Sequence, residues 1–228
     1  MIGINFRLDC AMHVYLRSNV MSSVFRLAVV ASCANVAFTL LAPASASAAP
    51  TTVQTTPNIH SLFSFTDGSV VAKWSATDDR VMGGVSRSRL RFDPMGHAVF
   101  DGVMSLEQNG GFASVRADAP PLPPLPPLEK LTHYVVEVRG DGKRYKLNLR
   151  MSGQFSRVSY QATFPTVANA WTTVAIPVSS FEPTFRGRRV VDAPPLNAAL
   201  VDQVGLMISD QQAGAFQLAI RKIAVELR

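Results

Sequence analysis

Polar and apolar positions alternate with period two through much of the chain. In Tyr145-Lys146-Leu147-Asn148-Leu149-Arg150-Met151 the alternation is unbroken, the pattern of a strand with one face buried and one wet. Residues 112–116 alternate more weakly. Residues 134–139, 158–164, 171–176, 204–209 and 216–227 are further runs rich in β-branched and aromatic residues. Turn residues separate them, and Gly140-Asp141-Gly142 reads as a tight hairpin turn. Sustained helical periodicity between caps is missing, and residues 196–202 suit one short helical turn at most. The pattern predicts an all-β chain folded as a jelly-roll β-sandwich, a single domain after an N-terminal leader.

Composition narrows this picture. The chain has 228 residues, 47% hydrophobic and 17% charged, too apolar for disorder and long enough for one well-cored domain. Residues 27–42 form an apolar run of 16, short of the roughly 20 needed to cross a bilayer. Arg26 precedes the run, and Pro43 and the small residues of 44–49 follow it. This is the layout of a secretory signal peptide, with A-x-A cleavage sites at Ala44-Ser45-Ala46 and Ala46-Ser47-Ala48. Met21 is the better start for such a peptide than Met1. The competing readings are an uncleaved anchor and a mitochondrial or plastid transit peptide. The compact apolar stretch and Asn35 within it favour export, to the periplasm or beyond the cell, with no stable membrane span in the mature form. Residues 1–46 are then the leader, 47–61 a flexible lead-in and 62–228 the domain. Cleavage removes both cysteines, Cys10 and Cys33, so the mature chain has no thiol for a disulfide or a zinc-thiolate site. It also removes two of the six net positive charges, leaving a mildly basic protein. The proline-rich stretch 119–130 suits an exposed, stiff crossover between two sheets.

Three segments carry unusual glycine placement: WSATDDRVMGGVS from Trp74, NGGFASVR from Asn109 and FEPTFRGR from Phe181. Paired glycines among strands mark bulges, corners or close backbone approach, and a side chain at Gly83, Gly84, Gly110 or Gly111 should clash or force a positive φ. Together with RGDGKRYKLNLR from Arg139 and VGLMISDQQAGAFQLAI from Val204, these segments resemble the NADH:ubiquinone oxidoreductase complex I intermediate-associated protein 30 family. The similarity is collinear from Leu62 to Leu227. The resemblance implies a galactose-binding-like jelly roll and a non-enzymatic role. Mitochondrial members look like assembly factors, chaperone-like proteins that hold intermediates of respiratory complex I, and the fold is shared with carbohydrate-binding modules. Because the leader points away from the mitochondrial matrix, it is the binding-scaffold role that carries over.

Candidate chemistry is sparse. Asp78-Asp79-Arg80 reads either as a ligand-contacting loop or as a solvated turn in which aspartates cap backbone N–H groups. No third acid lies nearby for calcium and no complementary base for catalysis. Arg116 shares a strand face with Ser114, and Lys146, Asn148 and Arg150 share another. If those strands align, they make a basic, amide-bearing surface suited to sugar hydroxyls, a carboxylate or an acidic protein patch. Otherwise that surface is a plain wet sandwich face. Arg186 and Arg188 flank Gly187 beside Phe185, a recognition pairing or a charged edge. Asp210-Gln211-Gln212 reads as a polar hairpin loop, which the resemblance makes a rim of the binding end. Trp74 and Trp171 are expected in the core before they are expected under a sugar ring. The histidines stand alone, so no metal and no cofactor is expected. The modest charge gives nucleic-acid binding little support.

The expectation is therefore a non-enzymatic binding or assembly factor that captures a protein partner, such as a subunit of a respiratory or membrane complex, through loops and one polar sheet face. The alternative is a carbohydrate-binding module of an exported protein. The residues expected to bind are Asp78, Asp79, Arg80, Asn109, Arg116, Arg186, Arg188, Asp210 and Gln212.

Overall fold

The computed structural model describes residues 58–120, 131–153 and 156–228. The leader, its cleavage sites and residues 121–130 of the proline-rich stretch lie outside the described residues. The described residues belong to the second of two units, Val53–Arg228.

Among the described residues, thirteen strands follow in chain order. They are β1 (Asn58–Ser64), β2 (Ser75–Ala76), β3 (Arg87–Asp93), β4 (His97–Met104), β5 (Ala113–Asp118), β6 (Leu131–Arg139) and β7 (Arg144–Met151), then β8 (Ser159–Pro165), β9 (Trp171–Pro177), β10 (Glu182–Phe185), β11 (Arg188–Arg189), β12 (Val201–Ile208) and β13 (Gly214–Leu227). One sheet has the order β3-β4-β13-β6-β9, with β1 also on β13, and the other the order β11-β10-β8-β7-β12-β5-β2. All strand pairs are antiparallel.

The expected alternation places the core. On β7, Tyr145, Leu147, Leu149 and Met151 are buried, while Lys146, Asn148 and Arg150 between them stay half-exposed. They pack with Tyr134, Phe100, Tyr160, Phe164 and the apolar faces of β12 and β13 in one cluster between the sheets, the arrangement of a β-sandwich.

Two expectations change. The first strand begins at Asn58, so the lead-in ends before residue 61. Gly140-Asp141-Gly142 is a corner and not a hairpin: β6 and β7 lie in different sheets. The Asp141 carboxylate holds that corner, accepting from Lys143 N and Tyr145 Oη on one side and Gln217 N of β13 on the other. The one short helical turn expected within residues 196–202 is present, as the 3-10 turn Ala198–Leu200 just before β12. The strands flanking the proline-rich stretch, β5 and β6, lie in different sheets, as a crossover requires.

Candidate functional site

The outward face of the β10-β8-β7-β12-β5 sheet floors a groove of about 760 Å³. Antiparallel register sets its polar residues in rows. One row runs Glu182, Gln161, Asn148, Gly205, Arg116 across β10, β8, β7, β12 and β5. The next runs Arg189, Thr184, Ser159, Arg150, Gln203 from β11 to β12. A third brings Thr163, Lys146, Met207 and Ser114 into line. Gly205 lies at the centre, between Arg116 and Asn148. A Cβ there would sit 2.9 Å from the Val115 carbonyl oxygen, so the central strand carries no side chain at the groove's middle.

Arg116 and Arg150 flank that gap, half-buried, with no carboxylate within ion-pair distance among the described residues. Burial lowers the pKa of Arg150, and the neighbouring Arg116 lowers it further. Lys146 does have a partner: its ammonium lies 2.7 Å from Asp210 Oδ1. Burial raises the Asp210 carboxyl, but the hydrogen bond and charge of Lys146 outweigh it and hold it below the ordinary value. The Asn148 side-chain oxygen is buried in the floor without a hydrogen-bond partner in the protein.

The groove brings together four of the expected residues, Asn109, Arg116, Arg186 and Asp210. Arg186 and Gly187 form the two-residue turn of the β10–β11 hairpin, both with positive φ, and the Arg186 guanidinium lies 5.4 Å from the Phe185 ring centroid. Arg188 is exposed and is absent from the lining. The hairpin register puts Arg189, not Arg188, opposite Thr184 on the groove row. Arg80 is likewise exposed outside the lining, while Val81 and Met82 of its turn stand at the rim. Gln212 is a brace: its amide pairs with both Arg144 N and Arg144 O, and donates to Ser209 O.

Asp78 and Asp79 do not form a solvated turn. Both are buried. The Asp79 carboxylate accepts from Ser86 N at 2.9 Å, Ser86 Oγ at 2.5 Å and Gly111 N at 2.8 Å. Burial pushes its pKa up, yet these donors outweigh burial and hold it below the usual 3.8. Asp78 accepts from Ser88 N, Ser88 Oγ and Ser114 N. The glycine pairs explain themselves here: a Cβ on Gly84 or Gly110 would lie 2.4 or 2.7 Å from an Asp79 oxygen. The two motifs thus interlock around one buried carboxylate beside the groove, and the side chains they contribute to its lining include Val81, Met82, Asn109, Phe112 and Arg116.

Trp74 is in the core, against Phe63 and Phe65. Trp171 is not. Val174 and Ile176 turn inward from β9, so parity turns residue 171 outward. There Arg221 lies 4.0 Å and Arg139 5.2 Å from its ring centroid, and His97 meets it edge-on.

The residues missed as binding candidates are Gln161, Gln203 and Arg189, whose place depends on strand order. Lys146, Asn148 and Arg150 were legible as one polar face.

Comparison with known proteins agrees with this architecture. The model of the Complex I intermediate-associated protein 30 (CIA30) family matches residues 63–220. An uncharacterised protein of Schizosaccharomyces pombe, C9E9.15, is 28% identical over 164 residues, covering 65% of this chain and 75% of its own. Among solved structures, the family 11 carbohydrate-binding module of the cellulase Lic26A-Cel5E of Clostridium thermocellum superposes with a TM-score of 0.54 at 12% identity, covering 74% of this chain and 95% of the module. A family 11 module of that organism in complex with a β-1,3-1,4-mixed-linked tetrasaccharide gives 0.51 at 14% identity, covering 73% and 94%. These likenesses establish the jelly-roll fold, and the match along residues 63–220 establishes kinship: the chain belongs to the complex I intermediate-associated protein 30 family.

Proposed function

We propose that this chain is a non-enzymatic, assembly-factor-like protein that recognises a protein partner in the groove over β10, β8, β7, β12 and β5. The observation that carries this reading is the groove itself. Its unpaired arginines and unpartnered Asn148 oxygen are held ready by a rigid sheet. The polar residues on its floor are mostly cations, amides and hydroxyls, with Glu182 at the β10 edge and Asp210 paired to Lys146, and no nucleophile stands beside an oriented base among the described lining residues, so the reading is recognition and not turnover. Family membership supports a role in assembly. The expected leader makes the partner an exported protein or an exposed part of a membrane complex.

Affinity purification of the processed protein from its native cell tests this, run beside Gln161→Trp, which fills the groove floor. Wild-type protein should recover a defined protein partner, and the variant should lose it while keeping its unfolding midpoint. Equal recovery by both would place recognition elsewhere.

The second reading, a carbohydrate-binding module, draws on the likeness to family 11 modules. Neither tryptophan supports it: Trp74 is core and Trp171 faces out from the other sheet. A glycan array with saturable binding lost in Gln161→Trp would favour it over the first.

A further inference from the structure

Five strands spaced about 4.8 Å apart make a floor roughly 19 Å across, the reach of about six extended residues. At its two edges the groove carries exposed apolar side chains. Val81 is 71% and Met82 53% exposed beyond the β5 side, and Phe185 is 41% exposed at the β10 side. Between them the floor offers Arg116, Arg150, Lys146, Asn148 and Gln161, with Glu182 at the β10 edge, and its aromatic rings are two phenylalanines, Phe112 and Phe185. Arg116 and Arg150 are close enough to repel, half-buried, and unpaired. Such a pair is costly in the empty groove and is relieved by a carboxylate that takes both. A sugar ring, by contrast, would find no tryptophan or tyrosine among the lining residues to stack on.

We propose that the occupant of this groove is an extended, carboxylate-rich segment of a protein partner. It crosses the strands with acidic side chains on Arg116 and Arg150 and an apolar residue at each edge. The proposal rests on the groove reading above and names its ligand class. The buried Asn148 oxygen has no partner in the protein, and a peptide N–H would be a fitting donor to it. Lys146, already bound to Asp210, serves as wall.

The test is fluorescence anisotropy on the processed protein with a labelled peptide of consecutive glutamates between two leucines. The same peptide with glutamines, and oligogalacturonate, serve as competitors. The glutamate peptide should bind at least tenfold more tightly than the glutamine peptide, and raised salt should weaken it. Arg116→Ala with Arg150→Ala should cost about tenfold or more with an unchanged unfolding midpoint. If the alanine pair fails to fold, Arg116→Gln with Arg150→Gln carries the same expectation. Equal binding of the two peptides, both blocked by Gln161→Trp, would overturn the acidic ligand and leave the protein-binding groove standing. Oligogalacturonate displacing the peptide as the tighter ligand would overturn both. Glutamate-peptide binding unchanged by the arginine substitutions, or no peptide binding at all, would also overturn the proposal.

Discussion

Asp79 shows how much one buried side chain can fix. Its carboxylate ties Ser86, Gly111 and Phe112 into one corner, and a neutral substitute leaves buried donors unsatisfied. Asp79→Ala should therefore cost about 3 kcal/mol or more, read by urea unfolding at neutral pH. Because its pKa is lowered on folding, the carboxylate's contribution is complete above the unfolded value near 3.8 and is lost as pH falls below it. Asp79→Asn should remove part of the acid limb of the stability curve. If its loss of stability between pH 5 and 2.5 parallels the wild type, the anchor role is wrong. The motif's glycines were readable as sites of close approach because a side chain is excluded for a local reason. What they approach was not readable. Asp79 looked like a ligand contact because a buried carboxylate and an exposed one have the same spelling.

The hairpin β10–β11 carries the clearest separation of stability from recognition. Arg186 occupies a turn position with φ +49, where glycine is relieved of strain but loses more entropy on folding. Arg186→Gly should thus shift unfolding free energy by no more than about 0.5 kcal/mol while weakening capture of an anionic ligand. A large destabilisation would show that the Phe185–Arg186 stack supports the fold. The strands themselves were legible wherever one face is buried: β7, β8 and β9 follow the alternation. The corner at Asp141 was not, because a glycine-flanked aspartate serves a hairpin and a sheet change equally well. The partner that decides it, Gln217 of β13, lies 76 positions away. Trp171 fails for a different reason: its strand was recognised, but the parity that Val174 and Ile176 set was not applied to it. Arg188 and Arg189 show the same one-residue sensitivity.

At the scale of the whole molecule, the sandwich divides its two outer faces by charge and shape. The outward face of β3 and β4 neutralises itself, with Arg89 and Arg91 both on Asp101. The groove face leaves its arginines free. Recognition should therefore weaken with salt and should survive loss of the Arg89–Asp101 pair, a surface contact worth about 1 kcal/mol or less. Capture by Asp101→Asn equal to wild type is the expected outcome, and loss of capture would point to the opposite face. On the proposed export, the expected leader sets where such a partner is met. Mass measurement of the exported protein should find a start near Ser47, and retention of residues 1–46 would contradict the signal-peptide reading.

Which face holds the partner is answered most directly by site-specific photo-crosslinking in the native cell. A photoreactive residue is placed at Gln161, on the groove floor, or at Thr173, on the outer face of β9. The account predicts a protein adduct from position 161 that competes away with an acidic peptide, and none of that adduct from position 173. The same adduct from 173, with nothing from 161, would contradict it.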